Sequence, residues 1–259
     1  HYEDGVYSID QEDLEEKLAD PQTSMLILCN PHNPVGKIWD RETLERIGEL
    51  CFKHHVLVLS DEIHCDITRP GMEYIPFASV SEHCKNNSIT CVAPTKTFNL
   101  AGLQTAAVIV PDAAMRHRVN RGLNTDEVAE PNVFAAIAPI AAFDRGREWL
   151  EELREYLWEN RKAAEDFIRE EIPELRTVSA DATYLLWIDC NALPGDLSEL
   201  AEFIRKESGL YVCDGREYGN GYGFLRMNLA CRRELLKEGL ERLKRSIHSY
   251  RKGISNGII

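Results

Sequence analysis

The sequence predicts an α/β fold: a mostly parallel sheet belonging to part of a large domain, followed by a small α+β domain. Three observations predict it. Residues 25–29, 56–59 and 89–92 are continuous apolar runs of strand length, as in strands covered on both faces of a parallel sheet. A segment with helical spacing joins the first two runs, so strand, helix and strand make a βαβ unit. Beyond Asp144-Arg145-Gly146 the pattern changes to shorter strands mixed with helices, with antiparallel potential.

Each element has a local reason. Val6-Tyr7-Ser8-Ile9 reads as extended chain. Over 10–20, Leu14 and Leu18 stand at i, i+4 among acids, a short surface helix. The run 25–29 ends in Asn30-Pro31-His32-Asn33-Pro34-Val35-Gly36, turn chemistry throughout. Asp40 is placed to cap a helix over 41–54, where Leu44, Ile47, Leu50 and Cys51 keep helical spacing. The run 56–59 ends in Ser60-Asp61-Glu62-Ile63-His64. The run 89–92 leads into Ala93-Pro94-Thr95-Lys96, and a further strand is expected over 106–110. Helices are expected over 112–123, 133–143 and 149–171, the last with Leu150, Leu153, Leu157 and Phe167 on one side. The domain boundary is placed at residues 145/146, giving domains 1–145 and 146–259. In the second, strands are expected over 183–188, 210–213 and 224–229, helices over 197–208 and 233–250, and a loose tail over 252–259. The first residue is His1 rather than Met, which reads as a fragment of a longer protein.

Composition narrows the function. The chain has 259 residues, 44% hydrophobic and 28% charged, enough for a sizeable core. A net charge of −13 argues against a nucleic-acid surface and an anionic membrane partner, both of which need clustered Lys and Arg. No run approaches the ~18 apolar residues of a membrane span. Eight cysteines form no C-x-x-C pair, so no metal site is indicated, and a reducing cytoplasm is the expected compartment.

The three apolar strands would deliver their polar turns to one carboxyl edge of the sheet, where open α/β sheets bind ligands. Asn33, Asp61 and Lys96 are thereby expected to converge. Taken singly, each has an ordinary role: a turn residue, a helix cap, a solvated lysine. Together they suit a pyridoxal 5'-phosphate (PLP) site. A deprotonated lysine amine condenses with an aldehyde. Asp61 would keep a ring nitrogen protonated, an ion pair worth roughly 4 kcal/mol at ~4 Å and an effective dielectric of ~20, before desolvation. Asn33 would give a neutral donor to a ring oxygen. His64 would share the face of Asp61 if a helical turn follows the strand. Arg226, in an apolar strand, calls for an anionic partner.

These segments resemble the fold-type-I PLP enzymes of the class I/II aminotransferase superfamily. Asn30-Pro31-His32-Asn33-Pro34-Val35-Gly36 is similar to that family's N-P-x-N-P-T/V-G loop, Asp61-Glu62-Ile63-His64 to its D-E-x-(Y/H) element, Thr95-Lys96-Thr97-Phe98 to its lysine motif, and Arg226-Met227-Asn228 to its C-terminal R-x-N/S strand. The D-E-I-H element, the run from Pro94 to Gln104 and Thr183-Tyr184-Leu185-Leu186-Trp187 resemble the cystathionine β-lyase-type C–S lyase branch.

The resemblance implies a PLP-dependent transferase-like fold, a homodimer and an amino-acid substrate. It implies that Lys96 holds the cofactor and moves the α-proton, that Asp61, Asn33, His64 and Thr95 contact the cofactor, and that Arg226 clamps the substrate carboxylate. The reaction expected is α,β-elimination on cystathionine or related cysteine S-conjugates. The alternatives are amino transfer, which shares the first proton abstraction, and a truncated, inactive piece. Two positions depart from the pattern. His64 stands where most aminotransferases have tyrosine, and Gln104 where many relatives have a basic residue. The family also carries a long preceding segment with the glycine-rich phosphate loop and the ring-stacking aromatic. Without the strands in that segment, an open apolar sheet edge is expected.

Overall fold

A computed structural model describes residues 1–256. Elements are numbered in chain order. Strands β1 (Tyr2–Glu3) and β2 (Val6–Tyr7) form a small antiparallel hairpin. Helix α1 (Gln11–Ala19) starts at Asp10, whose carboxylate accepts from the N–H groups of Glu12 and Asp13. Strand β3 (Met25–Cys29) leads through the 30–37 loop to helix α2 (Arg41–Lys53), capped by Asp40 on the N–H of Thr43 at 2.8 Å. Strand β4 (Leu57–Asp61), helix α3 (Glu82–Asn86), strand β5 (Ser88–Val92) and the single-turn helix α4 (Pro94–Thr97) follow. Then come strand β6 (Ala107–Ile109) and helices α5 (Ala113–Thr125), α6 (Ile137–Arg145) and α7 (Arg147–Glu171). The remainder is β7 (Arg176–Thr177), β8 (Leu185–Asp189), α8 (Leu200–Ser208), β9 (Cys213–Asp214), β10 (Phe224–Asn228) and α9 (Arg233–Ser255).

The chain divides into two compact units. The first holds His1, Ser8–His32 and Lys37–Arg154; the second holds Tyr2–Tyr7, Asn33–Gly36 and the chain from Glu155 onward. The division falls within α7, between Arg154 and Glu155.

In the first unit the sheet order is β3-β4-β5-β6. The first three strands are parallel and in register, Cys29 beside Asp61 and Asp61 beside Cys91. Strand β6 runs antiparallel, with Thr90 beside Ile109. Its connection from β5 contains only α4 and a 3₁₀ turn, not the crossover helix that a parallel return uses. One sheet face packs on α2, where Leu44, Ile47, Leu50 and Cys51 are fully buried with Val58 and Phe77. The opposite face of β3 is open among the described residues, with Ile27 68% exposed. The apolar run states what the strand is suited to bury, and the described residues cover only one side. Strand β6 is likewise exposed.

In the second unit β7-β8-β10-β9 form an antiparallel sheet. Ile168 of α7, Leu200 and Ile204 of α8, and Leu240, Leu243 and Ile247 of α9 bury against Leu186, Ile188 and Leu225. The strand expected over 210–213 is shorter and later, β9, because α8 ends on Gly209 at φ +69° and the chain first turns outward at exposed Tyr211. The tail expected to be loose from 252 continues α9 to Ser255, and residues 257–259 lie outside the described part.

Candidate active site

The first unit supplies Asp61, His64, Thr95 and Lys96. Asp61 closes β4, flanked in register by Cys29 and Cys91. Its Oδ1 accepts the N–H of Ile63 at 3.2 Å. Glu62 is buried. Its Oε1 accepts from Ser60 Oγ at 2.9 Å and from the N–H of Phe77 at 3.0 Å. Burial pushes its carboxyl above the usual range while those two bonds pull it back. Tyr74 donates to the Asn30 carbonyl at 2.9 Å, and its phenol is pushed up by burial and by Glu62. His64 is also buried. It follows Asp61 through reverse turns, Cys65 N–H to Glu62 O and Ile67 N–H to His64 O, not through an α-helix. The shared helical face expected for Asp61 and His64 is therefore replaced by turn geometry.

Lys96 sits on α4. Pro94 opens that helix at a position where its missing N–H costs nothing. The Phe98 N–H closes the turn on the Pro94 carbonyl at 2.9 Å, and Thr95 lies one residue before the lysine. The Lys96 side chain is partly exposed, with no hydrogen bond or ion pair among the described residues. Its neighbour Thr97 is fully buried and donates from Oγ1 to Asp66 Oδ2 at 2.8 Å. Gln104 is exposed, at φ +48° after a 3₁₀ turn.

The second unit supplies Asn33 and Arg226, which are 193 residues apart in sequence and hydrogen-bonded. Arg226 Nη1 donates to Asn33 Oδ1 at 3.1 Å. Arg226 lies on β10, in register with Trp187 and Cys213. Its Nη2 donates to Cys213 Sγ at 3.2 Å, and its guanidinium lies over the Tyr218 ring, 4.7 Å from the centroid. No carboxylate lies within ion-pair distance of it among the described residues. The local fold explains why Asn33 belongs here. Gly36 O accepts from the N–H groups of Asp181 and Ala182 at 2.9 and 3.0 Å, and Val35 packs with Val178, Trp187 and Phe224. With Oδ1 engaged by Arg226, the Asn33 amide keeps its NH₂ end for another acceptor.

The structure thus groups Asp61, His64, Thr95 and Lys96 in one unit and joins Asn33 to Arg226 in the other. Sequence reasoning missed Cys213, Tyr218, Tyr74 and Asp66. It quoted Glu62 and Thr97 in their motifs without a role. A carboxylate immediately after an apolar strand, with serine two residues before it, was the available signal for Glu62.

The donor set suits PLP. Among the described residues, the first unit offers a lysine amine without an ion-pair partner and a carboxylate at a strand end. Comparison with known proteins identifies the family. Residues 1–243 match the family model for aminotransferase class I and II, and the chain belongs to that family. It is 43% identical over 245 residues to cystathionine beta-lyase PatB of Bacillus subtilis (strain 168), covering 94% of this chain and 63% of that protein. It is 33% identical over 240 residues to Protein MalY of Escherichia coli (strain K12), covering 92% and 61%. Among solved structures, a PLP-bound putative aminotransferase from Clostridium difficile 630 superposes with a TM-score of 0.91 at 40% identity, over 95% of this chain and 63% of that one. Cystalysin from Treponema denticola, which contains a pyridoxal 5'-phosphate cofactor, gives 0.89 at 31% identity, over 96% and 64%. The chain therefore spans under two thirds of the length of these relatives.

Proposed function

We propose that this chain carries the lysine, carboxylate and arginine of a PLP-dependent carbon–sulfur lyase acting on cystathionine or related cysteine S-conjugates. The first unit is read as the C-terminal part of the PLP-binding large domain and the second as the small domain. The observation that carries the reading is Lys96: a lysine without an ion-pair partner among the described residues, on the turn after β5, in a chain 43% identical to a cystathionine beta-lyase. Bound PLP would supply the electron sink for negative charge developing at the substrate Cα.

The residues then have distinct tasks. Lys96 Nζ would hold the cofactor aldehyde and would serve as the base for the substrate Cα proton. The Asp61 carboxylate would hold the proton of the ring nitrogen. The Asn33 amide and His64 would serve the ring oxygen, and the Thr95 hydroxyl the phosphate. Arg226 receives the substrate carboxylate on its guanidinium edge. As the proton leaves Cα, its electron pair forms the Cα–Cβ double bond. The Cβ–S bond breaks and the sulfur departs as a thiolate. Water then hydrolyses the released enamine to pyruvate and ammonia.

Two other readings have specific support. A PLP-bound putative aminotransferase from Clostridium difficile 630 is among the structural neighbours, and amino transfer shares the first proton abstraction. The coverage of 63% and the exposed faces of β3 and β6 favour a piece that is inactive by itself. A homodimer is proposed from the exposed apolar surface around α6, and a reducing cytoplasm from eight cysteines outside any disulfide.

One experiment separates these readings. The chain and a K96A variant are mixed with PLP, fixed with borohydride and mapped by mass spectrometry. They are also incubated with cystathionine without a keto acid. Cofactor fixed on Lys96, with pyruvate and free thiol, is expected. Products that require a keto-acid acceptor would favour amino transfer. Absence of Lys96-dependent uptake would sink the idea that this chain is competent by itself.

A further inference from the structure

We propose that Asp66 and Thr97 are positioning residues for Lys96, joined so that the lysine's helical turn is held from outside itself. The inference rests on the reading of Lys96 given above. Helix α4 has four residues and no side-chain N-cap, since Ala93 precedes it. A single turn closed by so few bonds has no stability of its own. Something else must fix the direction in which Lys96 leaves the backbone.

Thr97 is the adjacent residue and is fully buried, so its hydroxyl needs a partner. That partner is Asp66 Oδ2 at 2.8 Å, a charge-assisted bond between residues 31 apart in sequence. Neighbours on a helix point about 100° apart. The bond therefore fixes the turn through Thr97 while leaving the Lys96 side chain clear.

Asp66 is itself held. The loop that carries it is anchored at its start by Glu62, which accepts from Ser60 Oγ and the Phe77 N–H. Tyr74 ties the loop's far side to the Asn30 carbonyl at the end of β3. Arg154 grips the middle, donating from Nε to Thr68 O at 3.1 Å and from Nη2 to Thr68 Oγ1 at 2.7 Å. One loop thus connects the ends of β3, β4 and β5, and Asp66 is its contact with the lysine's turn. A loop that served only to link β4 to α3 would not need polar bonds to the ends of β3 and β4 and to the helical turn after β5.

The test compares T97V, which keeps shape and loses the hydroxyl, with T97S, which keeps the hydroxyl, and with D66N. Two readouts are taken on each full chain. The first is the rate at which PLP becomes borohydride-fixed on Lys96. The second needs no cofactor: trace acetylation of Lys96 relative to exposed Lys17 and Lys237, followed against pH by mass spectrometry. T97V is expected to slow cofactor attachment by about tenfold, the scale of one lost charge-assisted bond. It is also expected to raise Lys96 acetylation toward that of the exposed lysines. D66N should fall between, and T97S should match wild type in both. If T97V lowers the melting temperature but leaves the Lys96 acetylation profile unchanged, the bond is structural only and the proposal is overturned. If the acetylation contrast appears but wild type fixes no PLP, the positioning role stands and the cofactor reading fails.

Discussion

At Arg226 a guanidinium inside an apolar strand meets an amide, a thiol and an aromatic face, and no acid among the described residues. These groups orient the cation without neutralising it, which leaves its attraction for an incoming carboxylate intact. Lysine at this position would keep the charge but lose the planar fork and the ring stacking. The R226K variant is therefore expected to weaken binding of an amino-acid carboxylate by about tenfold or more, measured by calorimetry. Unchanged affinity would remove Arg226 from substrate binding. Arg226 was legible in the sequence because a charge in an apolar run demands an explanation. Lys96 was legible for a similar reason, standing between two apolar runs. The Asn33–Arg226 bond was not legible, because spacing says nothing about partners 193 residues apart. Cys213 and Tyr218 were hidden for the same reason.

At the scale of elements, the 30–37 loop matters most. Gly36 has φ +78°, and a Cβ there would lie 2.5 Å from the Ala182 carbonyl oxygen. Both the backbone conformation and the space require glycine. The G36A variant is expected to lose about 1–3 kcal/mol of stability in a denaturant titration, and a smaller loss would mean that residues 180–183 can yield. His32 makes this loop pH-sensitive. Burial holds its imidazole below the ordinary value of 6.5. The folded chain binds that proton less readily than the unfolded one, so the contribution of neutral His32 is complete above pH 6.5 and is lost as pH falls below it. Glu62 acts in the opposite sense. Its raised carboxyl favours the fold most below its ordinary 4.5 and less as pH rises. Comparing wild type with H32Q isolates the histidine: from about pH 7 to 5 the wild-type melting temperature should fall more steeply, and parallel curves would discount His32. The cap at Asp40 and the helix after it could be read directly from residue types. The antiparallel direction of β6 could not, because direction depends on what the connection contains and an apolar triplet pairs either way.

For the molecule as a whole, the apolar surface is the leading fact. Phe134, Ile137 and Ile140 are 63%, 67% and 61% exposed around α6, and Val108 and Ile109 of β6 are also exposed. Exposed apolar side chains in such number favour burial against a partner. The chain is expected to associate as its concentration rises, and I137E together with I140E should reduce that association in sedimentation velocity. A strictly monomeric wild type would contradict both the expectation and the proposed homodimer. The sequence made the parallel three-strand core legible, since alternating and continuous apolar runs report which faces can be buried. It gave no account of which faces this chain covers, because hydrophobicity records suitability for burial and not the presence of a partner.

The chain leaves the first unit after His32, spends Asn33–Gly36 packed in the second, and returns at Lys37. The His32 N–H meets the Lys37 carbonyl at 2.8 Å on one side, and the Gly36 carbonyl takes two N–H groups on the other. Ordinary connections between strand and helix drift in length among relatives. This one has no slack. A residue added or removed between His32 and Lys37 would disturb the His32–Lys37 bond or the two on the Gly36 carbonyl. In an alignment of working relatives, gaps should open before Asn30 or after Trp39 and never between.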